Sequence, residues 1–115
     1  MVESISIRAV VFQEGGRWLA QCLEYDLCTS AEDRQTLTRK LVSQLRLQIM
    51  LDLAKGNKPL QGLPRAPQRF WDLYSSSTPE EMVQVQGSWL GDLFRSWRGL
   101  SQVRADIALA AARRT

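Results

Sequence analysis

An α+β fold is what this chain of 115 residues predicts. The expectation is a three-stranded antiparallel sheet with room for a fourth edge strand, carrying one long packed helix and followed by a helical C-terminal extension. Three observations lead there. Two apolar runs, Ser4–Phe12 and Arg17–Leu23, flank Gln13-Glu14-Gly15-Gly16; leucines then recur at four-residue spacing from Leu37; and prolines and glycines break up the chain after Gly56.

In the first run Ile5, Ile7, Ala9 and Val11 share one face and Ser4, Ser6 and Arg8 the other, until Val10 and Phe12 make both faces apolar. That alternation is a strand, and Gly15-Gly16 supplies the residues a tight antiparallel hairpin asks for. The second strand sets Trp18, Ala20 and Cys22 against Leu19, Gln21 and Leu23. One of these faces meets the helix, which leaves the other for a partner. After the Glu24-Tyr25-Asp26 corner, Leu27-Cys28-Thr29 is long enough only for a short third strand.

Ser30 followed by Asp33, with Glu32 between them, resembles a capping box and predicts a helix start. Leu37, Leu41, Leu45 and Ile49, widened by Val42 and Leu53, form its core stripe, and Gly56 ends it ahead of Pro59. Its second half is over-apolar: Leu47, Ile49, Met50 and Leu51 point in nearly all directions, so that half is expected to be buried on more than one side, by the downstream segment or by another subunit. Residues 59–79 read as a linker rich in Pro, Gly and Ser with an aromatic anchor at 68–74, whose Phe70, Trp71 and Tyr74 are expected to dock on that second half. In the extension, residues 80–115, Met82–Gln86 alternates like an edge strand. Trp89, Leu90, Leu93, Phe94 and Trp97 mark a helical face within Ser88–Trp97, and Leu100–Arg114 reads as an Ala-rich helix.

Fifteen Lys and Arg stand against twelve Asp and Glu, a net charge of +3. Residues 1–58 carry eight cations and seven acids, and residues 59–115 seven and five, so neither half offers the concentrated footprint that phosphate binding needs. The chain contains no His, which removes the usual general base and the commonest zinc ligand. Glu14, Glu24 and Asp26 read as turn and surface carboxylates, and Cys22 and Cys28 as reduced thiols in apolar surroundings. No catalytic set, metal site or cofactor is expected. No run approaches the roughly 20 apolar residues of a membrane span, and Met1-Val2-Glu3 does not begin a signal peptide, so a soluble cytoplasmic protein is expected.

The stretch Gly15-Gly16-Arg17-Trp18-Leu19-Ala20, the acidic corner at Glu24-Tyr25-Asp26, Cys28-Thr29-Ser30 and the capped helix resemble the HicB-like antitoxin family over roughly residues 4–58. Leu23-Glu24-Tyr25-Asp26-Leu27 stands where commoner members carry Pro-Gly, which marks a divergent branch. Residues 1–58 would then be the HicB-like domain. The resemblance implies a truncated ribonuclease-H-like sheet without nuclease activity, a dimer, and binding to a small toxin ribonuclease, HicA. Partner contact is expected at Trp18, Leu19, Gln21, Leu23, Glu24, Tyr25 and Asp26. Relatives often add a C-terminal DNA-binding module; here its readers would be Gln84, Gln86, Arg95 and Arg98. Five Arg against four acids over residues 79–115 do not favour that role over a packing or assembly tail.

Overall fold

A computed structural model describes residues 2–86 and 102–112 of the chain. In chain order the elements are β1 (Val2–Glu14), β2 (Arg17–Cys22), β3 (Cys28–Ala31), α1 (Arg34–Ala54), α2 (Gln68–Ser75), β4 (Thr78–Gln86) and β5 (Gln102–Ala111). The strands form a single mixed sheet of five in the order β3-β2-β1-β5-β4.

The β1–β2 hairpin is the one the sequence predicts. Glu14 pairs with Arg17 across Gly15 and Gly16, whose φ angles of 60° and 79° are those of a type I′ turn. β3 pairs antiparallel with β2, Leu19 opposite Ser30.

The sheet does not stop at three strands, and the described residues of the C-terminal extension, 80–86 and 102–112, hold strands rather than helices. β5 lies parallel to β1, with Ile5 opposite Ala105, Ile7 opposite Ile107 and Ala9 opposite Leu109, and β4 pairs antiparallel with the outer side of β5. The cause is a competition between two periodicities. The alanines of Gln102–Ala111 favour a helix intrinsically, yet Ala105, Ile107 and Leu109 alternate with Arg104, Asp106 and Ala108 at a period of two, and the first set is buried. Tertiary burial beside β1 overrides helix propensity. Met82–Gln86 is a strand as expected, lengthened back to Thr78. The face built on Trp89 to Trp97 lies outside the described residues.

Asp33 rather than Ser30 caps α1, since Ser30 belongs to β3. Its carboxylate accepts the Thr36 N–H at 2.8 Å and the Thr36 hydroxyl at 3.0 Å, which holds the Asp33 carboxyl below its ordinary range. Gly56, at φ 78°, ends the helix where expected and donates to the Leu53 carbonyl. Leu37, Leu41, Leu45, Ile49 and Leu53 all point into a core shared with Ile5, Ile7, Ala9 and Val11 of β1 and with Ala105, Ile107 and Leu109 of β5. Removal of this apolar area from water is the main term stabilising the fold.

The aromatic anchor packs on the opposite side from its expected place. α2 covers part of the sheet face turned away from α1: the Phe70 and Phe12 rings lie 6.0 Å apart, and the Arg8 guanidinium sits 4.7 Å from the Trp71 ring centroid. Val10, Leu23 and Ala110 on that face are buried. The reason lies in β1, where Val10 and Phe12 make the second sheet face apolar and in need of cover.

Candidate functional site

The residues expected to meet a partner are largely engaged by their own chain. Gln21 is 3% exposed, and its amide donates to the Asp26 carboxylate at 2.8 Å and to the Cys22 carbonyl at 2.9 Å. Leu23 is fully buried; its carbonyl accepts the Ala66 N–H at 2.9 Å, and the Asp26 N–H donates to the Pro64 carbonyl at 2.7 Å. Both Glu24 oxygens are taken by Arg8, one by the backbone N–H at 2.7 Å and the other by Nε at 2.6 Å. Trp18 and Tyr25 are half-buried against the core, Leu19 is half-buried, and Asp26 is exposed. Residues 60–66 thus lie along the β2 end and corner that the sequence left open. The pairing is carried by backbone groups, which a Pro- and Gly-rich composition does not advertise.

The DNA-reading candidates are dispersed. β4 hydrogen-bonds to β5 of the same chain, with Gln84 opposite Asp106 and Gln86 opposite Arg104. Gln84 is exposed beside an acid, whereas Arg95 and Arg98 lie outside the described residues.

Among the described residues a different surface is left without cover. Between the outer strand β3 and α1 runs a groove of about 600 Å³, lined chiefly by Thr29, Thr36, Arg39, Lys40, Gln44 and Leu47. Leu47 is 55% exposed and Leu51, one turn further along α1, is 45% exposed. The two sit on the helix flank opposite the buried stripe, as positions four apart do. Lys40 donates from Nζ to the Ser30 carbonyl of β3 at 2.8 Å, and Arg39 stands beside it. Two cations face the groove and no acid lines it. Its raw materials were legible as an over-apolar helix half and a polar Arg39-Lys40 pair; their conjunction with the β3 edge was not.

A second cleft, about 430 Å³, lies among Phe12, Trp18, Arg34, Glu80 and Ala111. Here Arg34 forms an ion pair with Glu80 and stands 5.2 Å from the Trp18 ring centroid, tying the first turn of α1 to the start of β4. The arrangement is a clasp between elements distant in sequence.

Among the described residues no group of three His, Cys, Asp or Glu is placed to hold a metal ion, and no helix is long and apolar enough to cross a membrane. The thiols differ in kind. Burial, with Glu24 nearby, pushes the Cys22 thiol up to about 12, while Cys28 is exposed and its thiol is raised by partial burial and by Asp26 and Glu14. Alkylation of the native protein at pH 8 is expected to modify Cys28 alone, slowly for an exposed thiol, and Cys22 only after denaturation. Two labels on the native chain, counted by mass spectrometry, would contradict the sealed packing of β2.

Comparison of the chain with protein-family models, curated proteins and solved structures finds no match.

Proposed function

We propose that this chain is a non-enzymatic, cytoplasmic protein-interaction domain of HicB-like character whose partner docks along the groove between β3 and α1. The observation that carries the reading is the exposed pair Leu47 and Leu51 beside that groove, on the outer flank of a helix whose other side is fully packed. Large apolar side chains grouped beside a groove favour a protein partner. The groove selects by charge as well. Arg39 and Lys40 complement a segment bearing acidic and apolar residues, with the cations steering its approach.

The family resemblance supplies the partner class, a small toxin ribonuclease, together with a dimeric antitoxin. Inhibition then follows from bulk: with a toxin segment held in the groove, the domain stands over the flanking toxin surface and keeps RNA away. Glu24 is already paired with Arg8, whereas Asp26, exposed and held only by the neutral amide of Gln21, keeps its charge available to oppose a basic toxin residue.

The test is co-expression with the product of the neighbouring reading frame, followed by size-exclusion chromatography and titration. The wild-type chain is expected to hold that product and suppress its RNA cleavage, while alone leaving RNA intact with Mg²⁺ or Mn²⁺. Leu47→Asp combined with Leu51→Asp is expected to weaken the complex at least tenfold, about 1.4 kcal/mol, because burial of one leucine contributes about 1.5–3 kcal/mol. The variant's own melting curve stays unchanged. Undiminished binding by the variant would remove the groove from the interface, and RNA cleavage by the chain alone would overturn the non-enzymatic reading.

A further inference from the structure

We infer that β4 is the surface through which two copies of this chain associate, by antiparallel pairing of Met82–Gln86 with itself about a two-fold axis at Gln84. β4 is the outermost strand of the sheet, and among the described residues no strand lies on its outer side. Sheet edges are ordinarily guarded by proline, charge or a bulge. The start of β4 has all three, in Pro79, in Glu80 and Glu81, and in the register break between Pro79 and Glu81. Met82-Val83-Gln84-Val85-Gln86 has none. The opposite edge differs, since β3 is only four residues long and Lys40 covers one of its carbonyls.

The sequence of the open segment sets its register. Val85 is 2% exposed and Val83 half-buried on the α1 side of the sheet, while Met82 is 62% exposed. For two sheets to join with both α1 helices on one side, residues facing each other across the new ladder must belong to the same sheet face. The axis therefore passes through a residue. With Gln84 on the axis, Val83 of each copy lies opposite Val85 of the other, extending the apolar layer, and Met82 lies opposite Gln86. Glu80 and Glu81 of both copies fall beyond the ends of the paired segment. An axis at Met82 or Val83 instead sets Glu81 against Val83 or Val85, a carboxylate against the apolar layer.

One self-complementary edge and one guarded edge give a closed two-fold dimer with a continuous ten-stranded sheet rather than a filament. The inference names the surface for the dimer that the proposed function includes and to that extent rests on that reading, while its own support is the β4 edge. The groove lies at the far side of the sheet, so failure of either leaves the other standing.

The full chain is expected to run at twice its 13.1 kDa mass by light scattering. In a Cys28→Ser background, Gln84→Cys is expected to form an intermolecular disulfide under mild oxidation. Directly opposed Cα atoms in an antiparallel ladder lie about 4.5–5.5 Å apart, within the roughly 4.4–6.8 Å a disulfide spans. Met82→Cys alone is expected not to link, because its two copies are separated by four residues of strand rise, roughly 13 Å. Gln84→Lys sets like charges across the axis and is expected to return the monomer with an unchanged circular dichroism spectrum. A wild-type monomer at high micromolar concentration overturns the inference. So does a dimer that links through Met82→Cys instead of Gln84→Cys, or one whose mass Gln84→Lys leaves unaltered.

Discussion

Replacing Leu45 with alanine is expected to lower the unfolding free energy by about 2–5 kcal/mol, read from urea denaturation. Leu45 is at the middle of α1, fully buried, in the same cluster as Leu41, Ile49 and the inward side chains of β1 and β5. Truncation removes a buried apolar side chain and leaves a void between helix and sheet that both sides can only partly refill. Leu47, two residues away on the same helix, is 55% exposed, and Leu47→Ala is expected to change stability by no more than about 0.5 kcal/mol. The pair separates the two faces of α1 in a single experiment. Equal losses at both positions would mean that the outward flank is covered in the isolated protein, and a loss at Leu45 below about 1 kcal/mol would mean that α1 does not close the core.

The same contrast marks how far the residues disclose the fold. The hairpin and the stripe Leu37–Leu53 follow from local pattern and appear where that pattern puts them, and the short third strand appears displaced onto Cys28–Ala31, taking in the Ser30 expected to start the helix. Local pattern fails where two signals compete. Gln102–Ala111 carries both a helix propensity and a two-residue alternation, and only the vacant side of β1 decides between them. That side was legible: Ser4–Phe12 has apolar residues enough for two neighbours and one covered face besides, and a strand so placed is central, not an edge.

The surplus apolar surfaces were visible too, but their assignment was crossed. The second face of the sheet takes the aromatic anchor, through Phe12 with Phe70 and Arg8 with Trp71, and so among the described residues the outer flank of α1, with Leu47 and Leu51, is the one left exposed. A sequence can count apolar faces. Matching each face to its cover needs the direction in which the chain leaves the helix, and one residue helps to set that direction.

That residue is Asp52, and Asp52→Ala is expected to destabilise the protein by about 1–3 kcal/mol, the loss associated with leaving a buried hydrogen-bond donor unpaired. Its carboxylate accepts the Leu60 N–H at 2.7 Å and the Gln48 side-chain amide at 3.1 Å, and its carbonyl accepts the Asn57 N–H at 2.8 Å. Leu60 is fully buried with φ 66°, a left-handed conformation that a leucine adopts only when its surroundings hold it there. The Asp52 carboxylate is part of that hold, and it turns the chain back from the end of α1 toward Leu23. Without it the Leu60 amide loses its acceptor, and the segment leading to Ala66 loosens against β2. Amide exchange should report this locally, with faster exchange at Ala66 and Asp26, whose N–H groups donate to Leu23 and Pro64. Asp52→Asn keeps an oxygen acceptor in the same place and is expected to retain most of the stability. If asparagine proves as costly as alanine, the carboxylate acts through its charge and not as the acceptor for Leu60; if exchange at Ala66 is unchanged in Asp52→Ala, the turn is held by the burial of Leu60 alone.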